Sequence, residues 1–71
     1  MKMKTLVNGE EREFAQGATL AQILDQLGIE TGSRDGIAVA VNDAVVPRAH
    51  HREFRPRDGD AIEIIHAVGG G

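Results

Sequence analysis

One amphipathic segment narrows the architectures open to this chain. Leu20, Ile23, Leu24 and Leu27 recur at i, i+3, i+4 and i+7, which places all of them on one face of a helix. Thr19 is a good N-cap, and Gln22 three residues on completes a capping-box pattern. Gly28 stands where a C′ glycine stops a helix. The pattern predicts a helix over 19–27 whose apolar face must be covered by another element.

That element is a sheet. Met3, Thr5 and Val7 alternate with polar neighbours, the period of a half-buried strand over 3–7. Asn8-Gly9 tolerates the positive φ of a type I′ hairpin turn, and 11–15 reads as the returning strand, polar and at an edge. After the helix, 30–36 is a polar, glycine-containing loop. Ile37–Val41 is apolar on both faces, as in an interior strand. Asn42-Asp43 makes a turn, Val45-Val46 a short strand, and Pro47 stops it from continuing as a ladder. Residues 49–54 read as a short helical turn or loop, and Arg57-Asp58-Gly59-Asp60 as a turn. The last strand covers 61–66, with Ile62 and Ile64 on one face and Glu63 and Ile65 on the other.

A hairpin followed by a covering helix makes a two-layer α+β domain. The economical arrangement sets the first and last strands side by side in the middle, the β-grasp or ubiquitin-like plan. The expected fold is a mixed sheet of about four to five strands with one main helix on one face. Residues 1–66 form this domain and 67–71 a flexible C-terminal glycine tail.

Composition removes several kinds of chemistry. With 71 residues and no cysteine, the chain has one small core and no disulfide, thiolate metal site or thiol nucleophile. A net charge of −3 and Phe14 and Phe54 as the only aromatics argue against a nucleic-acid binder. Met1 to Thr5 is followed by no apolar stretch of the kind a signal peptide needs, and no run is long enough to span a bilayer. A cytoplasmic monomer with no membrane association is expected. His50, His51 and His66 lack metal-site spacing and read as surface residues. Ser33, the only serine, has no arranged base nearby in sequence, and no phosphate-binding glycine loop with lysine occurs. The chain is expected to bind no cofactor itself and to be acted on by enzymes rather than to be one.

The end of the sequence offers another kind of chemistry. Gly69, Gly70 and Gly71 carry no Cβ and form no stable helix or strand of their own. Such a tail is either a frayed linker or an arm thin enough to thread a partner's active site. In the second case the Gly71 carboxylate is the reactive group. A free carboxylate is a poor electrophile, so ATP must first turn it into an acyl-adenylate, which a sulfur or nitrogen nucleophile can displace.

With the tail on the page, the chain resembles the ThiS family of sulfur carriers from thiamin (thiazole) biosynthesis over essentially its whole length. The resemblance rests on Leu6-Val7-Asn8-Gly9, on Val39-Ala40-Val41-Asn42 followed by Val45-Val46-Pro47-Arg48, on Asp58-Gly59-Asp60, and on the Gly70-Gly71 end. It implies that a ThiF-like, E1-like adenylyltransferase activates the terminal glycine with ATP and Mg²⁺. Sulfur from a cysteine desulfurase persulfide then replaces AMP, and the thiocarboxylate supplies thiazole synthase (ThiG-like). By position, Gly71 is the modified residue, and Gly70 and Gly69 belong to the tail a partner's site requires. Related MoaD-type molybdopterin carriers share the fold and the Gly-Gly end but tend to have proline just upstream, where this chain has His66-Ala67-Val68. A ubiquitin-like protein modifier and a TGS-like binding module with an incidental tail are the other readings.

Periodicity adds a surface. If Val7, Ile62 and Ile64 face the helix, Leu6 and Ile65 point out from the other side of the sheet. With Ala38 or Ala40, and with Val68 beyond the last strand, they would form a docking patch for the activating enzyme. Singly exposed apolar residues with no role are the plain alternative. Arg48, Arg52, Arg55 and Arg57, with His50 and His51, concentrate positive charge. They form either a solvated surface or a steering patch for an acidic partner.

Overall fold

The computed structural model describes residues 1–29 and 36–66. Strand β1 (Lys2–Val7) and strand β2 (Glu10–Ala15) form an antiparallel hairpin in register from Lys2↔Ala15 to Val7↔Glu10. Asn8 and Gly9 connect them with φ of 50° and 84°, the left-handed pair a type I′ turn demands. Met3, Thr5 and Val7 point inward, as the alternation requires, and Thr5 Oγ1 donates to the Arg12 carbonyl at 3.4 Å.

Helix α1 (Leu20–Gln26) is short and closed at both ends. The Gln22 N–H donates to Thr19 Oγ1 at 3.2 Å, and the Thr19 N–H donates to Gln22 Oε1 at 2.9 Å, completing the capping box. At the other end, the Gly28 N–H bonds to the Asp25 carbonyl and the Ile29 N–H to the Leu24 carbonyl. This pair is a Schellman motif, and it needs the left-handed φ of 82° at Gly28. Leu20, Ile23 and Leu24 are completely buried against the sheet.

Strand β3 (Ile37–Val41) turns through Asn42 and Asp43 into strand β4 (Ala44–Val46). After Pro47 a 3₁₀ turn (Arg48–His50) leads into a segment that packs on the start of the helix. There the Leu20 and Ala21 N–H groups donate to the carbonyls of Phe54 and His51, each at 2.9 Å. These donors would otherwise be orphaned at a helix N-terminus.

Strand β5 (Ala61–His66) completes a five-stranded sheet of order β2-β1-β5-β3-β4. It runs parallel to β1 through Leu6↔Ala61 and Val7↔Ile62, and antiparallel to β3 from Ile37↔His66 to Val41↔Ile62. The first and last strands are therefore neighbours inside the sheet, as the two-layer plan requires. The core joins Met3, Val7 and Phe14 of the hairpin, the apolar face of α1, Val39, Val41 and Val46, and Ile62 and Ile64.

One histidine departs from expectation. His51 is buried at 4% exposure rather than lying on the surface. Its Nε2 lies 2.9 Å from the Val46 carbonyl, so that nitrogen carries the proton and donates. Nδ1 has no partner among the described residues. The reason is positional: the His51 carbonyl caps α1, and a residue anchored there is held against the core.

Candidate functional site

The face of the sheet opposite α1 carries no covering element among the described residues. Two asparagines fix how its central strand enters. The Ile64 N–H donates to Asn8 Oδ1 at 2.8 Å, and the Ala61 N–H donates to Asn42 Oδ1 at 3.0 Å. The backbone N–H groups of these asparagines donate in turn to the carbonyls of Ile62 and Ala61, at 2.9 and 2.8 Å. Asn42 Nδ2 also donates to Asp60 Oδ1 at 3.0 Å. Both residues sit at positive φ, 50° and 52°, a region asparagine enters at modest cost. β5 is thereby fastened on both flanks.

Register decides what this face presents. Leu6 is level with Ala61, Ala40 with both Glu63 and Val45, and Ala38 with Ile65. Leu6, Val45 and Ile65 are exposed at 41%, 67% and 47%. Leu6 and Ile65 thus lie on the uncovered face, where periodicity put them, but they do not touch through a shared level. Ala61 and Ile65 are separated along β5 by about 13 Å at the usual strand rise, with Glu63 between them. Val45 supplies the apolar flank. Its three-residue strand is too short for alternation to reveal a face, so the sequence offered no signal for it. Farther toward β2 the same face turns polar, with Lys4 opposite Glu13.

Beside Leu6 the face sinks into an open hollow of about 560 Å³, lined by Leu6, Asn8, Asn42, Asp43, Ala61 and Glu63 among others. Among the described residues of the lining there is no lysine or arginine beside these two carboxylates.

The arginine-rich segment lies elsewhere, in the turns that cap α1. Arg48, Arg52, Arg55 and Arg57 are all exposed. The Arg55 guanidinium donates to the Gly17 carbonyl and ties this segment to the loop before the helix. Among the described residues no group of three histidine, aspartate or glutamate side chains could hold a metal ion. No described helix is long and apolar enough to cross a membrane. Val68, Gly69, Gly70, Gly71 and Ser33 lie outside the described residues.

Comparisons with known proteins point one way. A family model described as the ThiS family matches residues 5–71. The chain is 32% identical over 69 residues to the sulfur carrier protein ThiS of Escherichia coli, covering 97% of this chain and 100% of that one. It is 36% identical over 69 residues to a thiazole synthase of Paramagnetospirillum magneticum, again over 97% of this chain. There it spans only 20% of the relative's length. Among solved structures, the thiamine biosynthesis protein ThiS of Geobacter metallireducens superposes with a TM-score of 0.76 at 28% identity. That match covers 97% of this chain and all of the other, and the shared architecture is the β-grasp.

Proposed function

This chain belongs to the ThiS family, and on that premise we propose that it is a sulfur carrier of thiamin biosynthesis whose working group is the carboxylate of Gly71. An oxygen of that carboxylate attacks the α-phosphorus of ATP held by a ThiF-like partner with Mg²⁺, and pyrophosphate leaves. The terminal sulfur of a persulfide derived from a desulfurase attacks the acyl carbon and AMP departs; a partner thiol then cleaves the resulting acyl–S–S bond, leaving the thiocarboxylate and a disulfide. The thiocarboxylate delivers its sulfur to a thiazole synthase. The chain supplies the carrier and no catalytic side chain; nucleotide and metal belong to the partner.

The observation that carries this reading is the extent of the family match, which runs through Gly70 and Gly71 and extends over the full length of a relative named as a sulfur carrier. Similarity to a segment of a thiazole synthase supports that enzyme as the acceptor. The reading is tested by intact-mass spectrometry of the protein from cells. A population heavier by the exchange of one oxygen for sulfur, localised to the last peptide, is expected. Its absence from cells actively making thiazole would refute the reading.

Docking falls to the uncovered face through Leu6 and Ile65, with Val68 beyond. Leu6→Asp and Ile65→Asp place a charge on exposed positions outside the core, so the unfolding midpoint should move little. Adenylation kinetics should show a KM for the carrier raised roughly tenfold or more, because burying the new charge against an apolar partner is unfavourable. Unchanged kinetics in both variants would remove this face from the docking surface.

A further inference from the structure

Resting on the reading that the uncovered face meets the adenylating partner, we propose that Glu63 is the specificity-determining residue of that face and that the partner presents one basic side chain to it. Glu63 occupies the middle of the face on β5, level with Ala40 and Val45. Ala61 and Leu6 lie on one side of it along the strand, and Ile65 and Ala38 on the other. It is the central charge of this apolar ring, which Glu11, level with Leu6 on β2, and Asp43, in the hollow beside Leu6, border with further carboxylates. Lys4 belongs to the polar half of the face, paired in register with Glu13. At the usual rise it stands about 13 Å from the level of Glu63 along the strands.

The adjoining hollow reinforces the point. Its lining adds a second carboxylate, Asp43, the side-chain amides of Asn8 and Asn42, and no cation. A lysine or arginine entering from a partner would lay its aliphatic stem along Leu6 and Ala61 and bring its charge to Glu63.

Free in water, the Glu63 carboxylate is hydrated and costs nothing. Once a partner covers Leu6, Val45 and Ile65, that hydration is stripped away. An unpaired buried charge is strongly unfavourable, so an apolar surface without a matching cation is rejected and one with it is accepted. The apolar ring makes the face adhesive, and Glu63 makes it selective.

The test is ATP–pyrophosphate exchange with the full chain and the purified adenylating enzyme of the same source, reading KM and kcat separately across a range of salt. Glu63→Gln keeps the shape and should raise KM roughly tenfold or more, leave kcat unchanged and flatten the salt dependence of KM. Glu63→Leu is the sharper variant. If the partner brings a cation, Glu63→Leu also raises KM, although it makes the face wholly apolar. If Glu63→Leu lowers KM, or Glu63→Gln changes neither KM nor its salt dependence, the inference is overturned. Leu6→Asp separates the levels: a raised KM there with a silent Glu63→Gln leaves docking intact and removes only the charge selection. No exchange with the unaltered chain overturns the carrier reading and this inference with it. Glu63 is exposed, so circular dichroism should report an unchanged fold in every Glu63 variant.

Discussion

Deleting Gly71 abolishes adenylate-dependent pyrophosphate exchange and thiocarboxylate formation, while the urea unfolding midpoint stays where it is. The contrast follows from where the two properties reside. The described core ends at Ile64 in sequence, and the last described strand at His66. Losing a residue outside this described core is expected to leave the unfolding midpoint unchanged. On the proposed function, the chemistry depends on the carboxylate of Gly71 alone. Shortening the arm by a residue draws it back by up to about 3.5 Å, and a misplacement of about 1 Å can already cost a hundredfold in rate. Exchange kinetics and urea denaturation on the same preparation check both halves. Wild-type exchange by the shortened chain would show that the reactive group lies elsewhere.

Leu24→Ala removes a large share of the stability without touching the tail. Leu24 is completely buried on a helix whose regular part runs only from Leu20 to Gln26. Its carbonyl also receives the Ile29 N–H that closes the helix. Removing a buried leucine side chain costs about 2–5 kcal/mol. A domain of this length has roughly 4–11 kcal/mol of total stability by the usual per-residue figure. The loss is thus comparable with everything that holds the fold. With a urea slope of about 1 kcal/mol/M, the midpoint should fall by about 2 M or more. A shift under roughly 0.5 M would mean that the helix contributes little to the core.

These effects differ in kind because Leu24 belongs to the buried core, whereas the proposed role of Gly71 is chemical. Position in the sheet likewise predicts that the uncovered face tolerates changes that α1 does not. Leu6 and Ile65 share strands with Val7 and Ile64, yet a single step along the chain moves a side chain from the core to the surface.

Sequence alone determined the elements whose bonds close over short spans. Asn8-Gly9 commits the chain to a tight hairpin, Thr19 and Gln22 start the helix, and Gly28 ends it; the turn and cap bonds that make these signals readable close within a few residues. Alternation likewise placed Leu6 and Ile65 on the uncovered face, and Glu63 with Ile65. The proposed chemistry of the glycine tail rests on sequence alone, because those residues lie outside the described ones. Only tertiary structure decided the rest. The bond from Ile64 to Asn8 spans 56 residues, and nothing local announces that an asparagine side chain will extend the β1–β5 ladder. His51 is drawn inward because its turn packs on the helix, which no periodicity within 49–54 records. Val45 joins the uncovered face, and Glu63 stands between Leu6 and Ile65, only once cross-strand register is set. Short-range propensity is written in neighbouring residues, whereas register is chosen by the burial of the whole apolar set at once.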